Sequence, residues 1–248
     1  MGDNVRTGVI SAGCLSASED RNGSRIHPET PMNNNVIHTV FSILNEEMTC
    51  FKDPIVTRIA QDNDPFAILI STMLSLRTKD TTTEHAFNSL VSVAATPYTI
   101  SRLPTARLEE LIYPVGFYKT KAKNIRLTSS IIADKYSGRV PDEIDELIAL
   151  PGVGRKTANL VVTLGFKKMG ICVDTHVHRI TNRWGYVRTK DPLGTEMRLR
   201  EILPKKYWLQ INDLLVAYGQ NICRPIGPFC SRCRLATYCE QMDVKKPR

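Results

Sequence analysis

Residues 66–76 are apolar nearly all round, and a helix of that kind has to be buried on every side. Asp64-Pro65 just ahead of it is a start signal, an N-cap residue followed by proline at the first helical position, where its missing N–H costs nothing. A central helix needs a jacket, and the neighbouring sequence supplies further helices. Ile37, Val40, Phe41 and Leu44 recur at i, i+3, i+4 and i+7. Asp80 or Thr81 opens a run through His85, Phe87 and Leu90 to about residue 94. A short helix is predicted over 105–112, capped by Thr105 and stopped by Pro114 and Gly116, and a long amphipathic one over 120–136, ended by Gly138. Helices over 141–150, 155–164 (closed by Gly165), 175–184, 195–202 and 208–218 complete the series. No segment alternates as a strand does, and no repeat of fixed period is visible. The expected fold class is all-α: a six-helix domain over 58–168, and a second, discontinuous domain from 36–57 and 169–248.

Residues 1–35 are polar, with Gly, Ser and the run Asn33-Asn34-Asn35, and are expected to be a disordered extension. They carry three arginines against four acids, so the +8 net charge of the 248-residue chain belongs to the folded body. That excess suits a polyanionic partner, although many basic proteins bind no nucleic acid. No apolar run approaches the roughly 20 residues of a membrane span, and the N-terminus lacks the pattern of a secretory signal. The expectation is a monomer in the cytoplasm, nucleoid-associated, or in the nucleus of a eukaryote.

Between two of the short helices lies Leu150-Pro151-Gly152-Val153-Gly154-Arg155-Lys156-Thr157-Ala158, followed one loop later by Val173-Asp174-Thr175-His176. Gly152 and Gly154 let another backbone approach closely, and a helix start near Arg155 offers N–H groups to a phosphate oxygen. An ordinary helix–helix turn has the same composition. Lys156 is a candidate nucleophile. A lysine attacks only as the neutral amine, and with an ordinary pKa of about 10.4 it must sit where burial or a helix N-terminus disfavours the ammonium. Asp174 is placed to accept a proton or to face a cationic sugar, and also looks like a helix N-cap. Read locally, the pair is equally a surface lysine and a cap. His176 and His178 are two apart, so a helix points them to different faces and they are not expected to share a metal.

Cys223, Cys230, Cys233 and Cys239 give the spacing C-x6-C-x2-C-x5-C. Four thiols this close, in a chain with an odd number of cysteines, signal a metal site rather than a disulfide framework. The chemistry alone leaves zinc and an iron–sulfur cluster equally open, with four structural free thiols as the lesser alternative. Cys14, Cys50 and Cys172 lie outside the group; all three are expected to be ordinary thiols, Cys172 in the core.

The hairpin, the aspartate and the cysteine spacing together resemble the endonuclease III family of DNA glycosylases, over roughly residues 36–241. The resemblance implies a DNA glycosylase with AP lyase activity on duplex DNA bearing oxidised pyrimidines or abasic sites, bound across the cleft between the two domains. It implies that Lys156 attacks C1′ of a flipped-out nucleotide to form a Schiff base and β-elimination, with Asp174 as catalytic partner. The four cysteines would then be the ligands of a [4Fe–4S] cluster. Met73-Leu74-Ser75-Leu76-Arg77-Thr78-Lys79-Asp80 matches the segment that fills the gap left by the flipped base, with Arg77 where glutamine is common. Asp80 matches a residue that contacts that base, and Phe117 an apolar wedge. The 223–230 loop carries one basic residue, Arg224, where the family often has several, so Lys119, Lys121 and Lys123 are read either as further phosphate contacts or as a solvated helix face. Two other readings remain: a monofunctional mismatch or adenine glycosylase, which typically lacks the lysine, and a non-catalytic DNA-binding iron–sulfur protein.

Overall fold

The computed structural model describes residues 30–51 and 53–248, and among them every regular element is helical. Helix α1 (Ile37–Met48) comes first. Helices α2 (Ile55–Ile59), α3 (Pro65–Ser75), α4 (Asp80–Val91), α5 (Pro97–Arg102), α6 (Thr105–Ile112), α7 (Tyr118–Lys135), α8 (Ile144–Ile148) and α9 (Arg155–Leu160) follow, then α10 (Thr175–Arg183), α11 (Pro192–Ile202) and α12 (Ile211–Asn221). The chain forms two compact units. One is Pro54–Cys172; the other joins the described part of Met1–Asp53 to Val173–Arg248.

The first unit is built around α3. Asp64 accepts the Phe66 N–H at 2.9 Å, and Pro65 takes the first helical position. Phe66, Ile68, Leu69, Ile70, Met73 and Leu74 are all buried, each worth about 1.5–3 kcal/mol relative to an exposed side chain. Ser71 and Thr72 are buried as well, and both return their hydroxyls to the Ile68 carbonyl, at 3.0 and 2.7 Å. Helices α2, α4, α7 and α9 pack around α3, while α5 and α6 lie against α7.

In the second unit α12 packs against both α1 and α10. Phe41 of α1 stacks on Tyr207 at 3.9 Å between ring centroids, and Arg234 pairs with Glu46 and with buried Glu47. These contacts fasten α1 to chain nearly two hundred residues away, as a discontinuous unit requires.

Several boundaries differ from the expectation for physical reasons. The first unit begins at Pro54 rather than 58, because α2 sends Ile55 and Val56 into its core, and it ends at Cys172 rather than 168, where the Cys172 thiol meets the Lys156 carbonyl. Residues 1–29 of the expected extension lie outside the described residues. Residues 30–35 are not extension: Met32 is buried, Asn34 donates to Ile202 O at 3.0 Å, and Tyr186 donates to Asn34 at 2.6 Å. Helix α5 was not anticipated, although Thr96-Pro97 repeats the signature of Asp64-Pro65 and forms a full capping box with Thr99. Thr105 is the first residue of its helix; Pro104 holds the cap position. Helix α8 is shorter than 141–150, since the backbone of Glu143 is extended (φ −106°, ψ 138°) and holds the cap position; the carboxylates of Asp142 and Glu143 pair with Lys168. The helix expected over 155–164 runs on to Gly165, but beyond α9 it does so as a π turn over Val161–Gly165. There the Thr163 hydroxyl takes the Asn159 carbonyl at 2.8 Å, a bond that competes with the helical ladder, and Gly165 packs on Pro65. Helix α11 starts at Pro192, with Asp191 as its cap, and α12 is shifted toward Asn221. Cys50 is disulfide-bonded rather than an ordinary thiol. No helix among the described residues is long and apolar enough to cross a membrane.

Candidate nucleic-acid interface and thiol centre

The segment after α3 and the segment before α7 meet. Arg77 and Phe117 both have left-handed backbones, φ 53° and 58°, a conformation that costs non-glycine residues about 1–3 kcal/mol each. The Arg77 guanidinium lies over the Phe117 ring at 5.6 Å, and Phe117 is 64% exposed. Both side chains assigned to the gap in the duplex therefore stand together on one surface. Gly116 makes this possible, because a Cβ there would lie 2.8 Å from the Arg77 carbonyl oxygen.

Lys121 departs from its expected place on a solvated, phosphate-facing surface. It is buried, and its ammonium donates to Leu74 O and Leu76 O at 2.7 Å each and to Thr78 Oγ1 at 3.0 Å. Burial pulls its pKa down to about 8, so it still carries its charge near neutrality, and three acceptors need all three protons. Lys119, Lys123 and Arg126 remain exposed on α7. Asp80 is also committed: its carboxylate accepts the Ile55 N–H at 3.2 Å, at the start of α2.

The hairpin is held by the same helix. Thr128 of α7 donates to Pro151 O at 2.9 Å, and Val153 N–H closes the turn on Leu150 O at 3.1 Å. Gly152 has φ 76°, and a Cβ on it would lie 2.6 Å from the Asn124 amide nitrogen. Gly154 has φ −94° and nothing within 4 Å of such a Cβ. The two glycines thus serve different ends. Gly152→Ala should strain the turn and lower stability by more than 1 kcal/mol, whereas Gly154→Ala should leave the melting temperature unchanged and weaken DNA binding alone. Thermal melts paired with duplex binding check both, and equal melting losses would contradict the distinction. Lys156 follows in the first turn of α9, half-buried, and its carbonyl faces the Cys172 thiol at 3.7 Å.

In the other unit Asp174 is 6% exposed and caps α10, one carboxylate oxygen accepting from His176 N at 2.8 Å and Val177 N at 2.9 Å. The two histidines go separate ways. His176 Nδ1 meets Arg179 at 3.1 Å, while His178 Nδ1 meets Thr195 at 2.6 Å. Burial lowers the His178 pKa, against the pull of Asp191.

Cys223, Cys230, Cys233 and Cys239 lie close enough that their thiols influence one another's ionisation. Burial is the larger cause and raises the pKa of Cys230, Cys233 (to about 12) and Cys239. Donors are already aimed at sulfur. The Arg183 guanidinium reaches Cys223 Sγ at 3.4 Å, the Gln241 N–H reaches Cys239 Sγ at 3.4 Å, and the Tyr218 hydroxyl meets Cys233 Sγ at 3.1 Å. Arg183 also donates to Arg224 O and Pro225 O, fixing the 223–230 loop. Among the described residues, no group of three or more His, Cys, Asp or Glu side chains is arranged to hold a metal ion as it stands. The donor set itself, four neighbouring thiols with hydrogen-bond donors on three of them, fits a thiolate-bound iron–sulfur cluster.

The loop is more basic in space than in sequence. Arg224 and Arg232 both lie over the Phe229 ring, at 4.8 and 5.8 Å, and the backbone of Arg248 pairs with Pro228 and Ser231. Arg232 and Arg248 were missed because neither falls between Cys223 and Cys230; the aromatic Phe229 between the two arginines was the available signal.

Comparison with known proteins bears on all of these sites. The family model described as "HhH-GPD superfamily base excision DNA repair protein" matches residues 70–205. Endonuclease III of Thermotoga maritima is 48% identical over 180 residues, 73% of this chain and 84% of that protein. A solved non-covalent endonuclease III–DNA complex matches with TM-score 0.75 and 32% identity, over 85% of this chain and 96% of that one. A trapped endonuclease III–DNA covalent intermediate, an estranged-adenine complex, matches with TM-score 0.70 and 32% identity, over 82% and 95%.

Proposed function

Since the chain belongs to the HhH-GPD superfamily and, within it, to the endonuclease III family, we propose that Lys156 is the nucleophile and Asp174 its partner. The protein is a base-excision DNA glycosylase with AP lyase activity, and its partner is damaged duplex DNA. The observation that carries the reading is the likeness to endonuclease III over 84% of that enzyme's length. Oxidised pyrimidines are the proposed lesions.

In this reading the Lys156 amine attacks C1′ of the flipped nucleotide, and the C1′–N bond breaks with its electron pair leaving on the base. Opening of the sugar gives a Schiff base between Nζ and C1′. Loss of a proton from C2′ then expels the 3′ phosphate. Asp174 suits the proton transfers and the cationic sugar because two N–H bonds fix its carboxylate. Gly152 and Gly154 would admit the phosphate backbone, Arg77 and Phe117 would enter the duplex, and Arg224, with Arg232, would hold phosphates beyond the lesion.

Cys223, Cys230, Cys233 and Cys239 would hold a [4Fe–4S] cluster, whose bonds tie the 223–230 loop to the end of the unit. Support comes from four neighbouring thiols and from the Arg183 and Gln241 donors on their sulfurs.

Borohydride trapping on duplex DNA bearing thymine glycol tests the function. A covalent protein–DNA adduct is the expected result. Base release with no adduct would make the protein a monofunctional glycosylase, and binding without either would make it a non-catalytic DNA-binding protein.

A further inference from the structure

Arg77 and Phe117 belong to segments forty residues apart, and both are exposed with left-handed backbones. Nothing in either segment alone would keep them together. Between them lies a closed set of polar contacts. The Lys121 ammonium uses its three protons on Leu74 O, Leu76 O and Thr78 Oγ1. The Thr78 hydroxyl accepts from Lys121 and from the Gly116 N–H at 3.1 Å, and donates to Leu76 O at 3.3 Å. Every donor on the ammonium and every site on the hydroxyl is therefore spent. Leu74 O is also among the last carbonyls of α3, a helix end that favours a cation.

We infer that Lys121 is a positioning residue for DNA: through Thr78 it locks the 74–78 segment to Gly116–Phe117, and so sets Arg77 and Phe117 as one preformed insertion element. The inference rests on the reading that this pair enters damaged duplex DNA. A lysine in this role makes no contact with phosphate, and its effect is realised only through the two side chains it positions. Preformation lowers the ordering cost of insertion, so loss of the lock raises the dissociation constant and KM more than it lowers kcat.

The test is a mutational cycle on the full-length, cluster-loaded protein. Lys121→Met is made in the wild type and in an Arg77→Ala/Phe117→Ala background, and binding to duplex DNA with a non-cleavable abasic analogue is measured across salt concentrations. Thr78→Val, which removes the joining hydroxyl from a smaller side chain, runs in parallel and replaces Lys121→Met if that variant does not fold. The expected result is a loss of about tenfold in affinity in the wild-type background and within about twofold in the double-alanine background, with an unchanged salt slope. Equal losses in both backgrounds would overturn the inference, as would a salt slope reduced by about one ion, the mark of a phosphate contact. Failure of the underlying reading looks different: the wild-type protein would then neither form the borohydride adduct nor prefer abasic to intact duplex, and the inference would fall with it.

Discussion

Lys156→Gln is expected to abolish borohydride trapping and strand cleavage while leaving binding to abasic duplex DNA within a few-fold of the wild type. The amide is close in size, so the first turn of α9 and the hairpin before it should persist, but it has no lone pair able to attack C1′. A fall in rate on the order of 10³-fold or more follows for removal of a covalent nucleophile. Asp174→Asn provides the companion measurement. Asparagine caps a helix about as well as aspartate, so the bonds to His176 N and Val177 N should survive and the melting temperature should hardly move. Turnover should still fall by about 10²–10⁴, the usual weight of acid–base assistance. Retained turnover in Asp174→Asn would reduce Asp174 to a cap, and an adduct in Lys156→Gln would move the nucleophile elsewhere.

Replacing Cys239 with alanine should cost the protein its iron, its broad visible absorbance and the fold around the 223–230 loop. Burial raises the pKa values of Cys230, Cys233 and Cys239, so their ionisation depends on the metal that binds them, and cluster loss returns protons to them. Structural four-ligand metal sites contribute on the order of 10 kcal/mol, comparable to the entire stability of a typical domain. Hydrogen exchange should show lost protection in α10 and α12 with the α3 core preserved, since none of the four cysteines belongs to the Pro54–Cys172 unit. Metal analysis of the intact protein decides the cofactor: iron and sulfide are expected, and zinc without iron would replace the cluster by a structural zinc.

The central helix, the hairpin and the cap at Asp174 were legible in the sequence because each is a local matter. Asp64-Pro65, Pro151-Gly152 and Asp174 act on backbone within a few residues. The short helices α2 and α5 were harder, since five or six residues carry too little periodicity to register, although Thr96-Pro97 was available. The π turn after α9 depended on a hydroxyl at Thr163 competing for a carbonyl, which no hydrophobic pattern reports. The role of Lys121 was misread for a different reason. A lysine among Lys119 and Lys123 at a helix start looks solvated, and only three-dimensional packing brings the carbonyls of 74 and 76 to its tip. Arg232 and Arg248 escaped in the same way, joined to the loop by Phe229 and by backbone pairing rather than by position in the chain.

Lys121, Asn124 and Thr128 lie at i, i+3 and i+7 on α7, one gripping the Arg77 segment and the other two meeting the hairpin. Seven residues of α-helix rise about 10 Å, a fixed interval, so α7 works as a ruler between the element proposed to enter the base stack and the element proposed to meet the backbone. A single residue inserted between 121 and 128 would lengthen that interval by about 1.5 Å and rotate one grip about 100° from the other. Each loop could still fold, yet they would no longer address the same stretch of duplex.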